Sequence, residues 1–144
     1  MKYRFRLQKM LHFEELKEAI KRGEVAKALD GLNKLEQRKV DLENSMREVL
    51  KQTPERLKED ASWIPYQVAQ VQQNLAAGRK LEQEIDEARN YLERIKFELS
   101  KLSMKRKALE KLRDKKKAEF NLSESRKEQK RLDETFQLNS RREK

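Results

Sequence analysis

The stretch K-R-K-A-L-E-K-L-R-D-K-K-K-A-E-F, Lys105 to Phe120, sets eight cations against three carboxylates and keeps Leu109, Leu112 and Phe120 at helical spacing. Cations at this density attract anions, either phosphates or the carboxylates of another protein. Glu110, Asp114 and Glu119 are interleaved with the lysines, and acids on a docking face oppose phosphate contacts. No zinc-finger spacing or RNA-binding signature accompanies the run. A basic zipper places an uninterrupted basic helix before its apolar seam, whereas this run lies inside and after one. Charge alone leaves nucleic acid open; the interleaved acids favour an acidic protein partner.

Other chemistry is sparse. The chain has no cysteine, which removes disulfides, thiolate metal sites and cysteine nucleophiles together. His12 is the single histidine, and no second ligand is spaced to make it a metal site. A part-buried structural role near the first helical turns is expected for it. Glu and Asp are abundant, but on exposed helix faces they pair with Lys and Arg one turn away. Gly23, Gly31 and Gly78 stand alone, so no glycine-rich loop cradles a phosphate. Two helices also lack the concavity of a small-molecule site. The expectation is a non-enzymatic protein with no cofactor and no metal.

The elements that carry these residues follow from composition and period. Charged residues make up 43% of the 144 and apolar residues 35%. That composition cannot fill a thick core but can fill a narrow seam between long helices. Leu81, Ile85, Ala88, Leu92, Ile95, Leu99, Leu102, Arg106 and Leu109 follow alternating steps of four and three, and eight of the nine are apolar. Val71, Leu75 and Gly78 extend the seam backward, and Leu112, Phe120, Leu132 and Phe136 extend it forward more loosely. Ala28, Leu32, Leu35, Lys39, Leu42, Met46, Val49 and Thr53 hold a second heptad register. Upstream, Phe13, Leu16 and Ile20 form a stripe in a shifted register, which predicts a stutter near Gly23.

Both prolines, Pro54 and Pro65, fall between the two seams. Proline removes a backbone donor and disfavours helix at the preceding residue. Helix one is therefore expected over about 5–52, a loop over about 53–62, and helix two over about 63–140, with Ser62 as its cap and Pro65 in its first turn. The fold class is all-α: a long antiparallel two-helix coiled-coil hairpin, one domain over 1–144, with a C-terminal overhang beyond about Lys111. No apolar run exceeds three residues, and the N-terminus lacks the apolar stretch of a signal peptide, so a cytoplasmic protein is expected.

Charge is unevenly spread. Residues 1–27 carry eight cations and four acids, residues 28–100 twelve and fourteen, and residues 101–144 sixteen and eight. In a hairpin the first and last segments share one end, so the excess of +10 gathers there. Trp63 and Tyr66 stand at the other end, either as a plug for the seam or as anchors for a partner. Leu42, Met46 and Val49 would face them from helix one.

The opening K-Y-R-F-R-L-Q-K-M-L-H-F-E-E-L-K-E (residues 2–18), W-I-P-Y-Q (63–67), E-K-L-R-D-K-K (110–116) and E-Q-K-R-L-D-E (128–134) together resemble the flagellar export protein FliJ family, in order and spacing over the full chain. The resemblance implies a coiled-coil stalk of the flagellar type III export apparatus. It implies association with the hexameric export ATPase (FliI) and the export gate protein (FlhA), and for some members with export chaperones. The ATPase hydrolyses ATP; the stalk does not. It also implies a cytoplasmic place at the inner face of the membrane at the flagellar base, reaching the membrane only through partners. On that basis Arg4, Arg6, Lys9, Lys105, Arg106, Lys111, Arg113 and Lys117 would meet the ATPase ring, and Leu42, Met46, Val49, Trp63 and Tyr66 the gate. Pro65 departs from members with a polar residue there. A stalk of injectisome-type secretion, or a basic nucleic-acid-binding or adaptor coiled coil, is the alternative.

Overall fold

A computed structural model describes residues 2–59 and 62–143; of residues 56, 57 and 59 it describes the backbone alone. Helix α1 spans Gln8–Glu59 and helix α2 spans Trp63–Arg142, with no strand among the described residues. The fold is the all-α helical hairpin that the two seams predict. It divides into two compact units: Ile20–Leu99, and Met1–Ala19 together with Ser100–Lys144.

The covered positions explain why these residues form helices. Along α2, Leu81, Ile85, Ala88, Leu92, Ile95, Leu99, Leu102, Arg106 and Leu109 are all buried or half-buried, in the predicted register. In the unit Ile20–Leu99, Leu32, Ile85, Leu92 and Ile95 form the buried cluster, flanked by Val25, Ala28, Leu35, Leu81 and Ala88. Each helix buries one stripe and leaves the rest to charge, which suits the composition.

Four expectations are corrected. First, α1 does not end near Gln52: it continues through Pro54 to Glu59, so residues 53–59 of the expected loop are helical and residues 60 and 61 lie outside the described residues. The bond that Pro54 cannot donate would go to the carbonyl of Leu50, an exposed residue. Thr53 anchors the same turn, its hydroxyl donating to the Val49 carbonyl at 2.7 Å and accepting from Gln67 Nε2. Helix α2 starts at Trp63, directly after Ser62 and with Pro65 in its first turn, where no intrahelical donor is needed.

Second, there is no register shift at Gly23. The covered stripe of α1 runs Leu11, Glu14, Glu18, Lys21, Val25, Ala28 and onward in unbroken steps of three and four. Phe13, Leu16 and Ile20 are instead 56%, 58% and 56% exposed. Third, α1 begins at Gln8 rather than near residue 5: residues 2–5 are not helical, and a turn closes with Gln8 N donating to the Phe5 carbonyl at 3.1 Å. Fourth, the extensions of the α2 seam are covered only in part: Val71, Gly78 and Phe120 are half-buried, whereas Leu75, Leu112, Leu132 and Phe136 are exposed, and Asn74 takes the covered position beside Leu75.

The glycines give a stability prediction. None has positive φ, and a methyl at Gly23 or Gly31 would meet nothing within 4 Å. At Gly78 it would lie 3.7 Å from Leu42 Cδ2, an ordinary contact. Each Gly→Ala change should therefore stabilise the chain by about 0.8–1 kcal/mol through helix propensity alone. Urea unfolding checks this; a loss at Gly31 would contradict the helix there.

Candidate partner-docking surfaces

Residues 1–19 and 100–144 together carry 21 basic and 11 acidic side chains, while residues 20–99 carry 15 of each. The whole net charge of +10 thus belongs to one compact unit. Within it Arg4, Arg6, Lys9, Lys105, Lys111 and Lys117 are exposed, as a contact role needs. Arg113 is half-buried and lies 3.4 Å from Asp114.

Arg106 is placed differently. It occupies a covered position, its Nε donates to the Glu18 carboxylate, and its Nη1 lies 2.8 Å from Glu110. Glu18 is only 2% exposed. The hydrogen bonds it donates to Glu18 first, and then to Glu110, hold the guanidinium pKa above its ordinary value. A buried carboxylate without a cation would be costly, so Arg106 and Glu18 are bound to each other by their surroundings. In the other unit Lys21 does the same work: its ammonium lies 2.8 Å from Glu98 and 2.9 Å from Glu24, and these bonds, Glu98 first, raise its pKa. A polar seam at Glu14, Glu18 and Lys21 is the feature that reading apolar periodicity missed. The signal was Arg106, the single charged position in an apolar row.

The N-terminal residues form a strap that sequence reading also missed. Lys2, Arg4 and Arg6 are exposed while Tyr3, Phe5 and Leu7 are half-buried, an alternation of period two. The Tyr3 ring lies 5.4 Å from that of Phe120, tilted by 48°. The strap therefore covers α2 as far as Phe120, and the overhang starts beyond it rather than at Lys111. From Ser125 to Glu143 every residue is exposed, including Phe136 at 75%.

In the unit Ile20–Leu99, Leu42 and Met46 are half-buried and share a groove of about 230 Å³ with Leu75 and Gly78. Trp63 and Tyr66 pair edge to face, with ring centroids 5.8 Å apart, on the first turns of α2; both rings are exposed. Val49 is half-buried, with its carbonyl held by Thr53. His12 is exposed rather than part-buried; it accepts from Gln8 Nε2 and has Nδ1 3.4 Å from Glu15. Among the described residues no group of three or more His, Cys, Asp or Glu is placed to hold a metal ion. No described helix is long and apolar enough to cross a membrane.

The arrangement offers charge, exposed apolar side chains and shallow grooves, which suit docking. A family model described as "Flagellar FliJ protein" matches residues 1–144. The chain belongs to the flagellar FliJ family. Neither the curated proteins nor the solved structures yielded a match. Membership associates the chain with the flagellar export apparatus. The strap, the polar seam and the basic unit are thus features of a FliJ-family hairpin.

Proposed function

We propose that the chain is a non-enzymatic coupling subunit of the flagellar export ATPase complex. It promotes assembly of the ATPase ring (FliI) through its basic unit and links the ring to the export gate (FlhA), with export chaperones as further partners. It works in the cytoplasm at the base of the flagellum. The observation that carries this reading is the confinement of all the net charge to one unit of a helical hairpin. Confined charge orients a protein as it approaches an acidic surface and speeds the encounter. Family membership supplies the apparatus. Leu42, Met46, Val49, Trp63 and Tyr66 are the proposed gate-facing set in the other unit.

The proposed ring-facing set is Arg4, Arg6, Lys9, Lys105, Lys111, Arg113 and Lys117. Arg106 leaves that set, because its guanidinium is spent inside the seam. Mixing the chain with the export ATPase should raise ring assembly and ATP hydrolysis. Replacing Lys105, Lys111, Arg113 and Lys117 with Glu should weaken association about a hundredfold with helicity unchanged, and raised salt should weaken the parent in the same direction. No stimulation at any stoichiometry would remove the coupling role. Tight binding to duplex DNA at physiological salt would favour a nucleic-acid protein instead.

A further inference from the structure

The strap Tyr3–Leu7 and α2 enclose a groove of about 540 Å³ within the basic unit. Its walls are Tyr3, Phe5, Leu7 and Leu112, and its margins carry Arg4, Arg6 and Lys116, with no carboxylate among the lining residues. Lys116 has Glu119 at 3.5 Å, whereas Arg4 and Arg6 make no ion pair among the described residues. A groove with an apolar floor and uncompensated cations is electrostatically incomplete, and carboxylates beside apolar side chains complete it.

The strap also limits the shape of the occupant. Residues 2–5 belong to no helix or turn, their burial alternates with period two as in an extended chain, and residues 2–4 take part in no backbone–backbone hydrogen bond among the described residues. Extended backbone with free N–H and C=O groups is a template for a second extended chain, whose side chains alternate sides. A bilayer fits less well, because Tyr3, Phe5 and Leu7 are half-buried, Tyr3 against Phe120 of α2, and only Lys2, Arg4 and Arg6 are left exposed. Interfacial anchoring needs the apolar face outward.

We propose that this groove is a docking slot for an extended acidic segment of a protein partner, with a bulky apolar side chain at every second position. The apolar side chains lie against Leu112 and the strap, the carboxylates meet Arg4 and Arg6, and the backbone pairs with residues 2–4. The slot stands on its own geometry, and the coupling role above neither requires it nor specifies it.

The test uses the full chain and a labelled ten-residue peptide alternating Asp or Glu with Leu or Phe, read by fluorescence anisotropy. Binding should be saturable. Arg4→Glu with Arg6→Glu should weaken it about tenfold or more, while Lys127→Glu with Lys130→Glu, the same charge change in the same unit outside the slot, should change it less than about twofold. Leu112→Ser should also weaken binding with no change of charge, helicity being checked by circular dichroism. Equal losses from both double reversals would show diffuse attraction and overturn the slot. So would equal binding of a peptide with Ser in place of its apolar residues, or no binding at all. Sedimentation of the chain with vesicles of phosphatidylcholine and phosphatidylglycerol, dependent on Arg4 and Arg6 while the peptide is ignored, would replace the slot with a membrane surface.

Discussion

Ile95→Ala lowers the unfolding free energy by about 3–4 kcal/mol, the usual range for truncating a well-packed core isoleucine. Ile95 is 2% exposed and shares its cluster with Leu32, Ile85 and Leu92. A two-helix seam has few neighbours to collapse into the space left behind, so the cost stays near the middle of the known range. The informative comparison is with Ile20 and Phe13, which are equally apolar and also recur at helical spacing. Both are more than half exposed. Ile20→Ala and Phe13→Ala should each change stability by less than about 0.5–1 kcal/mol. Urea denaturation of the three variants, with unchanged slope, measures this. Similar losses at Phe13 and Ile95 would mean that the Phe13 stripe, and not the polar one, faces α2.

The second large effect concerns Glu18 and Arg106, and its sign depends on which partner is removed. Arg106→Leu removes the guanidinium that pairs with the buried Glu18 carboxylate, and should lower the melting temperature by roughly 8 °C. Glu18→Leu should cost less, because Arg106 keeps Glu110 at 2.8 Å and its side chain retains 20% of its exposure. The double variant restores an apolar seam at two facing positions and should melt at or above the parent temperature. Replacing a whole buried pair with packed apolar groups removes two desolvated charges at once. A double variant whose loss equals the sum of the two single losses would show that the residues are not coupled.

These two predictions turn on the same stretch of α1, where reading the sequence was least complete. Helix α2 was legible over Leu81–Leu109 because its apolar positions have one period and no competitor. The second half of α1, from Ala28 to Thr53, was legible for the same reason. Before Ala28 two stripes compete. Met10, Phe13, Leu16 and Ile20 are the more apolar, yet Leu11, Glu14, Glu18 and Lys21 are the ones covered. Pro54 misled in a related way: its local preference against helix was overridden by a turn that Thr53 and Gln67 hold together. The candidate surfaces were legible as charge but not as shape. Counting cations locates the basic segments, while the slot exists only because folding brings residues 3–7 alongside Leu112 and Lys116 of α2, with Tyr3 against Phe120.

Helical periodicity and net charge are properties of neighbouring residues and of simple addition, so two helices, one long apolar seam and a strongly basic end were readable from the chain alone. The choice of the polar stripe depended on partners far along the chain. Glu18 finds Arg106 88 residues later, and Lys21 finds Glu98 77 residues later. A local pattern records how apolar a stripe is, but not whether its charges will meet opposite charges once the chain has folded back. That pairing leaves the Phe13 stripe exposed.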